Sequence, residues 1–407
     1  MSYFTRFAMA ALLVASTAGA LGACQSLAGI EDRTYDGAAA PSPQCQQYCN
    51  LAKSICTGNN AIYSGDATCL ATCKLLDLGD ELEPAGNTVA CRVSQLNNAL
   101  QDTEADSVAG FCAAAGPGGN GRCGSNCEDY CALYVQACDG AQPALVASQY
   151  ADQDQCLSHC KGLTDTPKIS LQSSYMTGAD TLQCRLAHLS AAASEPDTHC
   201  GHAQLQVQAK PDPKNSGPCV DPPDADADCD SYCQLEMAEC VDEFAQFENL
   251  AQCKAVCGAL ALGTVGDTSQ NTVGCRRYHS YNALLPLPDG PATHCPHTGP
   301  GGDGHCGAAA TGNCESYCLL AAAACDALGH PGLAAKDTFV AHFKGQKACQ
   351  EACSGLDGAP KDSKYFVSTA SNGDNLQCRF LHVSRALADT AAAVDECASV
   401  LGEGDCQ

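Results

Sequence analysis

The sequence predicts an all-α protein made of four tandem, disulfide-stapled three-helix modules, each with eight cysteines. All of the 33 cysteines except Cys24 fall into four sets of eight that follow one order along the chain. In every set the first and second cysteines stand four positions apart, as do the fourth and fifth. Alternating runs of β-branched residues are scarce and alanine is frequent, which favours helices over strands.

The chain is expected to begin with a bacterial-type export signal over residues 1–23. Arg6 is followed by an apolar stretch over residues 7–20. A short apolar run that ends in small residues is typical of a cleaved signal peptide, and it is shorter than the roughly 20 residues of a membrane-spanning helix. The run ends at Leu21-Gly22-Ala23-Cys24.

The sequence Leu21-Gly22-Ala23-Cys24 resembles the lipobox of bacterial lipoproteins, in which the cysteine becomes the acylated N-terminus. The resemblance implies a lipid anchor, of the palmitate type, on Cys24. Gln25, in place of an aspartate, favours the outer membrane in that family. Ordinary secretion, with Cys24 as a spare thiol, is the alternative. Residues 24–44 are rich in Ala, Ser, Pro and acidic residues and are predicted to be a flexible linker.

The net charge of the chain is −25, which argues against nucleic acid and anionic lipid headgroups as partners. We therefore expect a protein of the bacterial cell envelope, held to the lipid bilayer through Cys24. Its protein partner, in the envelope or outside the cell, is not identified by the sequence.

The modules are predicted to span residues 45–123, 127–219, 229–306 and 314–406. The stretch 220–228, rich in Asp and Pro, is predicted to link the second module to the third. Modules 1 and 3 share short cysteine intervals and modules 2 and 4 longer ones, which indicates a duplicated pair of modules. In order, the cysteines are Cys45, Cys49, Cys56, Cys69, Cys73, Cys91, Cys112 and Cys123 in module 1; Cys127, Cys131, Cys138, Cys156, Cys160, Cys184, Cys200 and Cys219 in module 2; Cys229, Cys233, Cys240, Cys253, Cys257, Cys275, Cys295 and Cys306 in module 3; and Cys314, Cys318, Cys325, Cys349, Cys353, Cys378, Cys397 and Cys406 in module 4.

The cysteine spacing predicts the three helices of each module. The first three cysteines lie within about 40° of one another on a helix, and the fourth and fifth are one helical turn apart. A third helix around the sixth cysteine is predicted to follow an N-cap residue, and the last two cysteines are expected on a Gly/Pro-rich loop. The predicted N-caps are Asn87, Asp180, Asn271 and Asp374.

The cysteines are predicted to be bonded to one another. Small exported modules bury a modest core and are stabilised by disulfides. A thiolate metal cluster, the alternative, would need reduced cysteines at Cys-x-x-Cys spacing. The sequence contains no Cys-x-x-Cys.

Eight cysteines can pair in many ways, and two pairs follow from helix geometry. Antiparallel packing of the first two helices would join the first cysteine to the fifth and the second to the fourth. This arrangement resembles the twin Cys-x3-Cys helical hairpin of small mitochondrial intermembrane-space chaperones. We further expect the third cysteine to pair with the sixth and the seventh with the eighth.

Histidines are the only candidates for chemistry. The third helix carries Cys-Arg-x-x-His in modules 2, 3 and 4, and modules 2 and 3 add His-Cys-x-His at the seventh cysteine. Three converging imidazoles would suit Zn or Cu, and histidine is also an axial ligand of haem. The alternative is that the histidines are structural, since module 1 has Gln95, Phe111 and Ala114 at these positions. The candidate ligands are His188, His199, His202, His279, His294 and His297.

An arginine follows the sixth cysteine in every module and is expected to form a buried ion pair or to clamp carbonyl groups. Common hydrolase and nucleotide-binding motifs are absent from the sequence, so an enzyme is not expected. The favoured function is that of a structural or interaction lipoprotein without a cofactor; the alternative is a metal- or haem-binding exported protein. The recurrent arginines are Arg92, Arg185, Arg276 and Arg379.

Overall fold

The computed structural model describes residues 41–80, 83–102, 104–139, 150, 152–165, 180–203, 219, 221–283, 290–307, 312–326, 332–370 and 372–407. These residues form seventeen α-helices joined by turns, and strand contacts among them are limited to isolated bridges. The all-α prediction is therefore confirmed. The predicted signal peptide and Cys24 lie outside the described residues. None of the helices in the described part has the length and apolar composition that a membrane span needs.

Among the described residues, each module has four principal helices, one more than the sequence predicts. The additional helix follows the third and carries the seventh cysteine, which we expected on a loop. Module 1 contains Pro43–Ile55, Asp66–Leu75, Val89–Gln101 and Ala105–Ala115. Module 2 contains Asn126–Cys138, Gln153–Cys160, Leu182–Ala192 and Pro196–Ala203. Module 3 contains Cys229–Glu239, Leu250–Ala259, Val273–Asn282 and Pro291–Thr298. Module 4 contains Cys314–Ala324, a short extra helix Phe339–Phe343, Gln346–Cys353, Leu376–Ala388 and Ala393–Val400.

Sixteen disulfides connect the cysteines in the described part of the chain, and all of these bridges lie within a module. The bridges from first to fifth and from second to fourth cysteine occur in every module, as helix geometry predicts. They hold the first two helices together as an antiparallel pair. They are Cys45–Cys73, Cys49–Cys69, Cys127–Cys160, Cys131–Cys156, Cys229–Cys257, Cys233–Cys253, Cys314–Cys353 and Cys318–Cys349.

The other two bridges of each module differ from the prediction. The third cysteine pairs with the seventh and the sixth with the eighth. The observed bridges are Cys56–Cys112, Cys91–Cys123, Cys138–Cys200, Cys184–Cys219, Cys240–Cys295, Cys275–Cys306, Cys325–Cys397 and Cys378–Cys406. The predictions Cys56–Cys91, Cys112–Cys123, Cys138–Cys184, Cys200–Cys219, Cys240–Cys275, Cys295–Cys306, Cys325–Cys378 and Cys397–Cys406 are therefore wrong.

The fourth helix explains this exchange of partners. The C-terminus of the fourth helix packs against the first helix. There a buried tyrosine of the first helix donates a hydrogen bond to a carbonyl group at the end of the fourth. In module 1, Tyr48 donates to the Ala115 carbonyl, and in module 4 Tyr317 donates to Val400 at 2.6 Å. The seventh cysteine thus faces the third, and the sixth is left beside the turn that carries the eighth. Tyr130 and Tyr232 repeat this contact with Ala203 and Thr298.

The third helix begins one residue later than predicted. In module 1 the N-cap is Thr88, whose hydroxyl accepts a hydrogen bond from the Cys91 amide. Thr181, Thr272 and Asn375 cap the other three third helices in the same way. The four residues predicted as caps instead accept hydrogen bonds from the recurrent arginines. These pairs are Arg92–Asn87, Arg185–Asp180, Arg276–Asn271 and Arg379–Asp374.

The arginine also clamps the Gly/Pro-rich turn that leads to the eighth cysteine. In module 1, Arg92 donates to the carbonyls of Gly116 and Pro117 at 3.0 and 3.3 Å. In module 3, Arg276 makes the same contacts with Gly299 and Pro300. Both arginines are fully buried. Multiple carbonyl contacts of one planar guanidinium fix the turn against the third helix.

Modules 1 and 2 join in the same way as modules 3 and 4. Arg92 of module 1 lies 3.1 Å from Asp129, two residues after the first cysteine of module 2. Arg276 of module 3 donates to Ser316, which holds the same position in module 4, at 3.2 Å. This shared geometry agrees with the interpretation of the chain as a duplicated pair of modules.

The stretch predicted to link modules 2 and 3 packs against its neighbours. Ala227 donates its amide to the Gly263 carbonyl, and the Val265 amide donates to Ala225. Asp221 lies 2.8 Å from the guanidinium of Arg277 in module 3. Residues 221–228 therefore form a paired segment beside module 3.

Candidate histidine metal centres

Helices three and four of modules 2 and 3 bring the predicted histidines together. One histidine stands four residues after the sixth cysteine, on the third helix. The other two flank the seventh cysteine on the fourth helix, at one position before and two positions after it. The bridge from the third to the seventh cysteine fixes the fourth helix, so its histidines face the third helix.

In module 3 one ring nitrogen of His279 lies close to a ring nitrogen of each of the other two histidines. Nδ1 of His279 is 3.2 Å from Nδ1 of His294 and 3.3 Å from Nδ1 of His297. A neutral ring nitrogen can donate or accept one hydrogen bond, so it cannot satisfy both neighbours at once. Tetrahedral ligands at the usual Zn–N length would stand about 3.3 Å apart. The cluster therefore has the spacing of a metal ligand set.

In module 2 the same positions converge. Nδ1 of His188 is 2.9 Å from Nδ1 of His199, and the His202 ring is 4.9 Å from the His188 ring between centroids. One ligand nitrogen from each of the three residues lies within 4.8 Å of the other two. Nδ1 of His202 is buried and makes no hydrogen bond.

Burial favours the neutral form of four of these histidines by lowering their pKa. In module 3 burial and the neighbouring imidazoles lower the pKa of His279 to about 3 and that of His297 to about 2. In module 2 burial lowers the pKa of both His199 and His202 below the ordinary value. A neutral imidazole is the form that binds a metal ion.

Sulfur is close to both clusters but is bonded. His188 lies beside the Cys184–Cys219 bridge and His279 beside Cys275–Cys306. A disulfide sulfur is not a thiolate, the form of cysteine that ligates metals. The donor set of each cluster is therefore imidazole nitrogen, which suits Zn and Cu(II).

Module 1 shows what the fold does without these histidines. Gln95, Phe111 and Ala114 occupy the three positions, and Arg122, one residue before the eighth cysteine, contacts the first two. Its guanidinium lies 4.8 Å above the Phe111 ring and 3.4 Å from the Gln95 side-chain oxygen. The exposed side chain of Arg122 thus contacts the residues that stand where modules 2 and 3 have histidines.

Module 4 retains one of the three histidines and adds a carboxylate. His382, on the third helix, contacts Glu396, which stands one residue before the seventh cysteine. Ser399 replaces the third histidine. Module 4 therefore has a histidine–carboxylate contact where modules 2 and 3 have three nitrogen donors.

Two residues at these sites, His305 and Glu396, were not predicted from the sequence. His305 stands one residue before the eighth cysteine of module 3 and lies on the cluster there, with its ring 3.7 Å from that of His297. Glu396 takes the place of His199 and His294. Comparing the residue before the seventh and before the eighth cysteine across the modules would have found both.

Two stretches of the chain, residues 125–209 and 225–309, match the model of the BfoA family C-terminal domain. The chain thus contains this domain as a tandem of two. The matched stretches cover most of module 2 and all of module 3, the two modules that contain three converging histidines. No curated protein and no solved structure matches the chain.

Proposed function

We propose that the chain is an exported, lipid-anchored protein of the bacterial cell envelope that binds divalent transition metal ions at the histidine clusters of modules 2 and 3. The repeated disulfide-rich helical domain is consistent with a structural or binding protein. The observation that carries the metal proposal is the meeting of three imidazole nitrogens within 4.8 Å in each of two modules.

Module 3 supplies the strongest support. Nδ1 of His279 lies 3.2 and 3.3 Å from two other ring nitrogens. It can form a hydrogen bond with only one of them, whereas a bound cation would accept the lone pairs of all three nitrogens. A net charge of −25 further raises the local concentration of cations around the protein.

A bare ion fits better than haem. The three nitrogens surround a single point, whereas haem iron takes axial ligands on opposite faces of a macrocycle. Imidazole donors suit Zn and Cu, and a tetrahedral site with three protein ligands leaves one position for water or another ligand. We therefore propose Zn²⁺ or Cu²⁺ as the bound ion.

The envelope part of the proposal depends on Leu21-Gly22-Ala23-Cys24 at the end of the predicted export signal. The sixteen disulfides support an oxidising compartment, because such bonds persist outside the reducing cytosol. Intact mass spectrometry of the native protein checks this part. A mature chain that begins at an acylated Cys24 supports it, and a chain with residues 1–23 still attached contradicts it.

Metal content measured by elemental analysis tests the binding proposal. After equilibration with Zn²⁺ or Cu²⁺ and removal of free ion, the oxidised protein should hold about two equivalents per chain. The matched variants give each cluster the residues of module 1, which folds without histidines there. They are His188→Gln/His199→Phe/His202→Ala and His279→Gln/His294→Phe/His297→Ala.

Each triple variant should lose about one equivalent, and the combined variant should lose both. Less than about a tenth of an equivalent in the unsubstituted protein would end the proposal. A Soret band in the native protein would favour haem instead.

A second function is favoured by modules 1 and 4. Both keep the four helices, the four bridges and the buried arginine while lacking the three-histidine set. Their retention supports a structural or interaction role for the whole array. Pull-down with the full protein and with single modules would test it, since a single module that binds a partner as well as the array would contradict a role for repetition.

A further inference from the structure

A fourth histidine lies against the cluster of module 3. The ring of His305 is 3.7 Å from that of His297 and nearly parallel to it, with 23° between the planes. It is 6.1 Å from the ring of His279. The fourth imidazole therefore covers one face of a proposed ligand.

The orientation of His305 differs from that of the three proposed ligands. Imidazole rings that share one ion have centroids about 5 Å apart. The His279–His297 and His279–His294 separations are 4.6 and 5.5 Å. Because His305 stacks face to face on His297, it is placed to support a ligand and not to act as one.

His305 is held by a residue of the next module. Its Nε2 lies 2.8 Å from Oδ1 of Asp362, in the segment between the fifth and sixth cysteines of module 4. The side chain of Asp362 is 66% exposed and that of His305 is 31% exposed. A surface carboxylate of module 4 thus orients a ring that rests on the metal cluster of module 3.

Backbone contacts fix this segment on module 3. The Asp362 amide donates to the Asp303 carbonyl at 3.3 Å, and the Lys364 amide donates to the Asp303 carboxylate at 3.2 Å. Asp303 is buried. The contact is therefore a built part of the joint between modules 3 and 4, and His305 lies within it.

Module 2 provides an internal comparison. Its residue before the eighth cysteine is Pro218, whose only nitrogen is the tertiary backbone amide without a hydrogen, so it cannot reproduce the His305–Asp362 pair. The two clusters therefore share three histidines and differ in the fourth.

We propose that His305 and Asp362 are positioning residues of the module 3 metal site, so that docking of module 4 tightens metal binding by module 3. This inference rests on the proposed metal-binding function. The stacked ring restricts the orientation of His297, and Asp362 restricts that of His305. Residues that orient metal ligands typically change affinity by about 10–100-fold.

The test uses full-length oxidised protein in which the module 2 cluster carries the Gln/Phe/Ala set, so that one site remains. Zn²⁺ affinity is measured by competition with a chelating dye. Asp362→Asn should weaken binding by about tenfold or more, and His305→Ala should do the same. The double variant should add little, because both act through one contact. Asn suits the left-handed backbone of Asp362, where φ is 65°.

Two further measurements separate positioning from general stability. Asp362→Glu, which keeps the carboxylate, should restore part of the affinity. The Cu²⁺ electron paramagnetic resonance spectrum of module 3 should change in His305→Ala. As a control, Asp362→Asn should leave Zn²⁺ affinity unchanged in a chain whose module 3 cluster is replaced and whose module 2 cluster is intact.

The outcomes distinguish the two claims. If module 3 binds Zn²⁺ and both Asp362→Asn and His305→Ala bind it as tightly as their parent, the positioning role is wrong and metal binding stands. If the unsubstituted protein binds no Zn²⁺ or Cu²⁺, both claims are wrong.

Discussion

The guanidinium of Arg277 in module 3 lies 2.7 Å from the carboxylate of Asp180 in module 2, and both side chains are buried. The other carboxylate oxygen of Asp180 accepts a hydrogen bond of 2.6 Å from Arg185 of its own module. Asp221 also contacts Arg277. This buried network joins the two modules that carry the histidine clusters.

Replacement of Arg277 by Gln should destabilise this joint by about 3–5 kcal/mol, because it leaves buried carboxylates with one fewer cationic partner. Hydrogen exchange of the amides in Leu182–Ala192 and Val273–Asn282 would report the loss. As a control, Arg385→Gln removes an ion pair with Glu248 in which both side chains are about a third exposed, and it should cost about 1 kcal/mol or less. Equal effects of the two substitutions would contradict the importance assigned to the Arg277 network.

The cysteine spacing predicted the bridges from first to fifth and from second to fourth cysteine because these bridges depend only on local helix geometry. Cys45 and Cys49 stand one turn apart on a helix, as do Cys69 and Cys73, so antiparallel packing determines their partners. The partner of Cys56 depends on where the fourth helix packs. That helix was not predicted, since its small residues beside a Gly/Pro-rich turn indicated a loop.

The histidines of each cluster could be predicted from the sequence, but the neighbouring residues that hold them in place could not. Recurrence relative to the sixth and seventh cysteines identified His188 and His279 together with their partners. The stacking of His305 and its contact with Asp362 arise from a joint between modules. Nothing in one module's sequence reveals a contact made by the next.

Non-reducing peptide mapping should recover the bridges from third to seventh and from sixth to eighth cysteine. For module 1, a peptide with Cys56 should be linked to one with Cys112, and Cys91 to Cys123. Linkage of Cys56 to Cys91 would contradict the fourth-helix arrangement. Replacing Cys91 and Cys123 together by alanine should cost about 2–4 kcal/mol in the free energy of unfolding.

Low pH should weaken the contact between Glu248 of module 3 and Arg385 of module 4. Hydrogen bonds from Arg385 lower the pKa of Glu248 to about 2, from an ordinary value of 4.5. A depressed carboxylate pKa stabilises the folded state above pH 4.5, and this contribution is lost as pH falls toward 2. Because both side chains are about a third exposed, we expect about 1 kcal/mol and not the full shift.

Thermal denaturation of Glu248→Gln across this range checks the expectation. The variant should be less stable than the unsubstituted protein at pH 6, and the difference should diminish toward pH 2. A difference that is the same at both ends would mean that ionisation of Glu248 does not stabilise the joint.

Two buried glutamates on the first helix of module 3 should have the opposite pH dependence. Burial raises the pKa of Glu236 to about 7 and that of Glu239 well above its ordinary value. Glu239 faces His159 of module 2 at 3.7 Å, and burial lowers the pKa of His159 to about 4. His159 is therefore neutral at neutral pH, and this contact is not an ion pair.

A carboxyl group whose pKa is raised on folding destabilises the folded state as pH rises above its unfolded value. For Glu236 the rise from 4.5 to about 7 corresponds to about 3 kcal/mol lost by pH 8. Glu239→Gln, which cannot ionise, should raise the denaturation midpoint at pH 8 and have little effect at pH 4. Measurements in chelator-treated buffer exclude a contribution from metal. A destabilising effect at pH 8 would mean that the ionised carboxylate is needed.

X-ray absorption at the zinc edge of the Zn²⁺-loaded protein identifies the atoms that bind the ion. If the histidine clusters bind it, the first shell is nitrogen at about 2.0–2.1 Å with about three imidazoles per ion, and this signal should disappear in the combined Gln/Phe/Ala variant. Sulfur at about 2.3 Å would show that cysteines bind the metal, and would contradict both the histidine sites and the disulfide framework that assembles them.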